Sequence, residues 1–246
     1  MQWQNTFVVT PADFCRSSEK LNALLASNRN LSRAIISSCA TIGIATAAYG
    51  FTFGVWRSPL QGFFSAVKMP LLFFSTVAAS ALIITMLAQV LGSRLSLQKV
   101  CFLVLTGMTV SAVVMMSLAP VMMFFILQLP SPDPAVVGLP RAHPHAEASM
   151  RTYYSLLIGH VAVVGFSGLA GNVHLYRLIR SLTGSPRQAM RLTLTWIAVL
   201  GFVGCELSWL LSPFMCVPVL PPHMVAKLYF EFNFYEYVWH ALSGCM

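Results

Sequence analysis

The chain has 246 residues, of which 57% are hydrophobic and only 9% are charged, with a formal net charge of +8 at pH 7. Soluble domains carry about 25% charged residues, so this composition excludes an ordinary soluble globular protein. The basic excess requires no nucleic-acid partner, because basic residues at a membrane surface meet anionic lipid headgroups.

Residues 1–34 form an amino-terminal arm without the pattern of a secretory signal peptide. Thr10 suits a helix N-cap and Pro11 the first helical position, which predicts a short helix over Pro11–Ala26. We expect this amphipathic helix to lie on the cytoplasmic membrane surface, with partner binding as the alternative. Its apolar face comprises Phe14, Leu21, Leu24 and Leu25.

Five apolar runs follow, each longer than the roughly 20 residues that a helix needs to cross a bilayer. A helix satisfies its own backbone hydrogen bonds in lipid, and the runs lack the alternation of a β-barrel. The sequence therefore predicts an all-α polytopic membrane bundle with a transmembrane domain over residues 35–217. The predicted spans are Ile35–Val55, Met69–Gly92, Val100–Leu129, Thr152–Tyr176 and Leu192–Val217.

The loop after the first span, "RSPLQGFFSAVKMP", predicts a separate amphipathic helix in the outer interface. Leu60, Phe63, Phe64 and Val67 have the spacing of one helical face. In the third span, Pro120 predicts either a kink or that the end of the run, "VMMFFILQL", extends into the interface.

The distribution of basic residues predicts how the bundle is oriented. Ten of the fifteen Lys and Arg residues lie in the arm and in the second and fourth loops, and five lie on the other side. The positive-inside rule then favours a multi-pass protein of the inner or plasma membrane, with its amino terminus in the cytoplasm and its carboxyl terminus outside.

Two segments on the predicted outer side carry candidate binding residues. In the proline-rich third loop, His143, His145 and Glu147 suit a transition metal, although a solvated loop is the favoured interpretation. In the tail, residues 218–246, seven of the eleven residues from Tyr229 to Trp239 are aromatic. This predicts an interfacial aromatic helix, with a ligand-binding platform as the alternative.

The tail also raises the question of a disulfide. Cys216 and Cys245 fall on the same predicted outer side, where a bridge would persist. Two separate thiols are the favoured interpretation.

Glu206 is the one charged residue inside the five predicted runs. An intramembrane acid is costly and faces protein or water, so it needs a partner. His160 lies at a similar depth in the fourth span, which predicts a Glu206–His160 pair inside the bundle. Glycines of the fourth and fifth spans, such as Gly165, Gly168 and Gly201, are expected to let these two helices approach closely.

The pair has a structural and a functional interpretation. A hydrogen bond that fixes the packing of the two helices is favoured over a proton or cation relay. His160 and His174 are too far apart along one helix to share a metal, so haem and metal binding rank third and no cofactor is predicted. No common catalytic motif appears, and nothing in the sequence supports an enzyme.

The stretches "RSPLQGFFSAVKMPLLF", "GCELSWLLSPF" and "FNFYEYVWHAL" resemble a group of uncharacterised bacterial polytopic membrane proteins, loosely similar to Yip1-type five-span proteins. The resemblance covers roughly residues 35–242. It implies a five-span bundle in a bacterial membrane, and it brings no established activity and no catalytic residues. In that group an amide often stands at the position of Glu206, which counts against proton coupling.

The leading functional interpretation is therefore a non-enzymatic membrane scaffold or accessory subunit. Its expected partners are membrane lipids and other membrane proteins or a second copy of itself. A small transporter or channel that uses Glu206 and His160 is the alternative, and a metal- or haem-binding redox subunit comes third.

Overall fold

The structure is a computed structural model, and it describes residues 14, 18–27, 31–92, 96–139, 143–211, 214–222, 224 and 234–245. This part of the chain contains seven α-helices and no β-strand, which confirms the predicted all-α fold. Five of the helices, α2 to α6, are long and apolar enough to cross a membrane. The helices are α1 (Ser18–Ser27), α2 (Leu31–Val55), α3 (Pro59–Val90), α4 (Leu97–Gln128), α5 (Pro144–Thr183), α6 (Pro186–Leu210) and α7 (Phe234–Cys245), with a 3-10 turn at Pro134–Val136.

The five long helices pack as a ring. Helix α2 lies against α3 and α4, α6 lies against α3, and α5 closes the ring between α4 and α6. Helix α7 packs on α5 and α6, and α1 packs on α5. We call the end where α2 begins the basic end, and the end where α2 finishes the capped end.

Helix α3 is longer than predicted, because it begins at Pro59 and runs through the loop that was expected to form a separate helix. The Ser58 side chain accepts a hydrogen bond from the backbone amide of Gln61 at 3.1 Å, which caps the helix. Pro70 lies inside the helix without ending it. The apolar face remains at the surface, where Phe63 is 64% exposed.

Proline has different effects on α4 and α6. Helix α4 is continuous through Pro120 and ends at Gln128. Helix α6 ends at Leu210, before the predicted boundary at Val217. Pro213 has no amide hydrogen to donate and disfavours helical geometry in the residue before it, which explains the earlier end.

Close helix contacts occur at glycines, although not between the predicted pair of helices. A Cβ atom on Gly54 of α2 would lie 2.6 Å from the Gln61 carbonyl oxygen of α3. A Cβ atom on Gly171 of α5 would lie 2.5 Å from the Gly107 carbonyl oxygen of α4. The expectation of close packing between α5 and α6 through their glycines was wrong for Gly165, Gly168 and Gly201, which have open space around them.

The described part of the arm packs against other helices of the protein. Leu21, Leu24 and Leu25 of α1 are buried together with Phe14 in a cluster that includes residues of α4, α5 and α6. The Ser181 hydroxyl of α5 donates a hydrogen bond to the Asn22 side chain of α1 at 2.9 Å. The apolar face predicted to rest on the membrane surface therefore covers the basic end of the bundle.

Candidate functional site

A cavity of about 610 Å³ lies between α3, α4, α5 and α6. Its volume falls within the range of roughly 300–1,000 Å³ that is usual for small-molecule sites. On α5 the lining extends from Tyr153 to Leu175, a helical rise of ~33 Å. Met69, Met108 and other apolar side chains dominate the wall. Among the described residues that line the cavity, none is charged.

The cavity opens sideways between α5 and α6. Val164 and Leu169 of α5 and Ile197 of α6 line it and are also exposed at the outer surface of the bundle, Leu169 by 63%. Gly165 and Gly201 lie at the same opening, where the lack of a side chain widens it. Phe234 and Val238 of α7 border the cavity as well.

His160 is a polar residue in the cavity wall. Its side chain is 8% exposed, and its Nδ1 atom shares a hydrogen bond with the Tyr49 hydroxyl at 3.1 Å. The imidazole stacks on the Phe53 ring with 4.1 Å between ring centroids. Tyr49 also stacks on His160, at 5.6 Å. These contacts from α2 fix the plane of the imidazole.

Residues 214–222, which we call the cap segment, close the capped end of the bundle. The Phe214 carbonyl accepts hydrogen bonds from the Gln61 side-chain amide (Nε2) at 3.1 Å and from the Ser65 hydroxyl. Arg57 donates through Nη2 to the carbonyls of Pro218 and Leu220, at 3.0 and 2.8 Å. Side chains of α3 and of the turn before it thus satisfy the backbone of a segment that has no helix of its own.

The cap segment also covers a buried cation. Lys68 of α3 is 2% exposed, and its Nζ atom lies 6.0 Å from the centre of the Phe214 ring, at the limit of a cation–π contact. Cys216 is a fully buried, reduced thiol that donates to the Pro221 carbonyl at 3.3 Å. Its φ of 60° is in the left-handed region, which few residues other than glycine adopt.

Glu206 lies away from the cavity wall. Gly201, Gly204, Cys205 and Ser208 of α6 line the cavity at helical spacing, and Glu206 is on the adjacent face. Its carboxylate is half-buried and acts electrostatically on Cys205 and on Tyr235 of α7. Within the described residues, no hydrogen bond or ion pair joins Glu206 to His160, whose hydrogen bond goes to Tyr49.

The candidate metal ligands of the third loop are only partly described. Glu147 forms a salt bridge with Arg151 at 2.8 Å, with both side chains exposed. The side chain of His145 lies outside the described residues. In the part of the chain that is described, no three His, Cys, Asp or Glu residues come together to hold a metal ion.

Sequence reasoning missed the polar face of α3. Arg57, Gln61, Ser65 and Lys68 recur at intervals of four, four and three residues, opposite the apolar face at Phe63. In lipid a helix turns its polar side inward, so this spacing was the available signal. The predicted second span begins at Met69 and excludes Lys68, which is why Glu206 was the one charged residue in the predicted runs. In the structure, Lys68 lies inside the spanning helix α3.

Comparisons with protein-family models, with curated proteins and with solved structures gave no match. The composition, the five spanning helices and the inward-facing polar groups define the chain as a polytopic helical membrane protein.

Proposed function

We propose that this protein binds the aliphatic chain of a membrane lipid in the cavity between α3, α4, α5 and α6. The observation that carries the proposal is the sideways opening between α5 and α6, where cavity-lining residues are exposed at the surface of the bundle. A lipid chain can enter such an opening without crossing water.

The chemistry of the wall supports an apolar occupant. Methionine side chains such as Met69, Met108 and Met115 are unbranched and flexible, so they adapt to chains of different shape. The placement of Glu206 off the cavity face supports lipid binding over transport that would use a Glu206–His160 relay. Binding of a lipid also agrees with the scaffold or accessory role expected from the sequence.

We further propose that the basic end faces the cytoplasm. Among the described residues, Arg33, Lys99, Arg177 and Arg187 at this end form no salt bridge and can meet anionic headgroups. At the capped end, Arg57 is engaged by the cap segment and Arg151 by Glu147. This contrast supports the orientation with the amino terminus inside.

Quenching of Trp209 fluorescence by a brominated long-chain alkane tests the lipid-binding proposal, since Trp209 lines the cavity. The difference in quenching between the parent protein and a Trp209→Phe variant measures binding at this site. We expect Gly165→Phe and Gly201→Phe, which place a ring in the opening, to weaken binding by about tenfold or more, the equivalent of 1–3 kcal/mol of steric cost.

Gly43→Phe is the matched control, because Gly43 is also surrounded by open space but does not line the cavity. It should bind the alkane as the parent protein does. Equal binding by all three variants, or quenching that does not depend on Trp209, would contradict a ligand in the cavity.

A further inference from the structure

The chemical class of the cavity ligand can be narrowed by the hydrogen bonds of His160, provided that the cavity binds a lipid as proposed. Tyr49 is fully buried, and the bond to His160 Nδ1 is the one described for its hydroxyl. A buried hydroxyl proton without an acceptor is costly. The Tyr49 hydroxyl therefore donates its proton to Nδ1, and Nδ1 is the acceptor nitrogen of the imidazole.

A neutral imidazole that accepts at Nδ1 carries its proton at Nε2. Among the described residues, Nε2 has no hydrogen-bond partner. Nε2 is not among the buried polar atoms that lack both accessible surface and a hydrogen-bond partner. It therefore keeps accessible surface, and the cavity is the described space that His160 lines. The cavity wall thus presents one N–H donor from a side chain that is more than nine-tenths buried.

The surroundings of this donor restrict the group it can meet. A charged headgroup beside His160 would leave water for an apolar space in which no described lining residue carries a charge, and this is costly. An uncharged oxygen acceptor does not incur this cost. The Phe53 ring on one side of the imidazole and the Tyr49 ring nearby hold the donor in a fixed direction.

We infer that the cavity binds an uncharged lipid with a carbonyl or hydroxyl oxygen, which accepts a hydrogen bond from His160 Nε2–H while its alkyl chain occupies the apolar wall. His160 would then select this lipid class over plain hydrocarbon and over lipids with an ionised head.

Three brominated probes of equal chain length test the inference through the Trp209-dependent quenching: an alkane, a methyl ester with a carbonyl acceptor, and a fatty acid kept ionised at pH 8. The parent protein should bind the ester about three- to tenfold more tightly than the alkane, the worth of one hydrogen bond, and the carboxylate more weakly than the ester. His160→Phe should remove the preference for the ester over the alkane, so that this variant binds the two probes equally well.

His174→Phe is the matched control, because His174 is on the same helix but does not line the cavity, and its preference should equal that of the parent. His160→Gln, which retains an N–H donor and an acceptor for Tyr49, should keep part of the preference and shows that loss in His160→Phe is not a folding defect. Equal binding of ester and alkane by the parent, or an unchanged preference in His160→Phe, would overturn the inference while lipid binding stands. Failure of every probe to bind would overturn both proposals.

Discussion

At the scale of single residues, the polar side chains of α3 and of the turn before it donate hydrogen bonds to backbone carbonyls and do not face water. A carbonyl buried away from water must find a donor, and the cap segment has no helix to supply one. Arg57 provides two charge-assisted hydrogen bonds to it, and Gln61 and Ser65 share the Phe214 carbonyl. The buried thiol of Cys216 makes the state of this segment measurable, because it can be labelled only when the segment opens.

Arg57→Met should therefore increase labelling of Cys216. Loss of the hydrogen bonds to Pro218 and Leu220 leaves two carbonyls without their donor, at a cost of about 1–3 kcal/mol. Mass spectrometry can follow maleimide labelling in a background that keeps Cys216 as its one cysteine. We expect Arg57→Met to be labelled roughly tenfold faster than the same background with Arg57 in place.

Arg151→Met provides the comparison, since its exposed salt bridge with Glu147 contributes little. Its labelling rate should match that of the parent. If Arg57→Met were labelled no faster than Arg151→Met, the cap segment would not depend on Arg57.

At the scale of helices, glycine has two opposite uses in this bundle. Gly54 and Gly171 allow backbones to approach closely, α2 to α3 and α5 to α4, where any side chain would collide. Gly165 and Gly201 instead keep the opening between α5 and α6 wide. The two uses cannot be told apart by glycine spacing alone, because they differ in what lies opposite each residue.

Gly54→Ala should lower stability and Gly43→Ala should not, although both glycines are in α2. Alanine favours a helix by about 1 kcal/mol over glycine, so Gly43→Ala, with open space around it, should be neutral or stabilising. At Gly54 the added methyl meets the α3 backbone, which we expect to cost a net 1–3 kcal/mol. Thermal unfolding in one detergent measures the stability of both variants. A higher melting temperature for Gly54→Ala would show that the contact between α2 and α3 accommodates the added methyl group without cost.

At the scale of the whole molecule, the charges are divided between the two ends. Arg177, Arg180, Arg187 and Arg191 surround the junction of α5 and α6 at the basic end, and no acidic residue described by the structure stands beside them in an ion pair. At the capped end, the described side chains of Arg57 and Arg151 are held by protein groups. This contrast between the described residues of the two ends is the pattern that the positive-inside rule associates with a cytoplasmic basic end.

Cysteine labelling of intact cells tests this orientation. In a cysteine-free background, Ser131→Cys at the exposed surface of the capped end should react with a membrane-impermeant maleimide, and Gln98→Cys at the basic end should react after the membrane is opened. Both positions are exposed in the structure, so access depends on the membrane alone. The reverse pattern of labelling would place the amino terminus outside.

The sequence by itself determined the class of the protein and the number of its spans, because hydropathy is a local property and a helix in lipid needs no distant partner for its backbone. Tertiary structure decided what each polar residue does. In the sequence, Lys68 and Gln61 belong to an ordinary amphipathic pattern, and only the cap segment that covers them gives them a buried role. His160 forms its hydrogen bond with Tyr49, a residue 111 positions earlier in the chain. The cavity likewise lies beside glycines of α5 and α6 whose spacing suggested close packing but which have open space around them, since the space between helices depends on every helix that surrounds it.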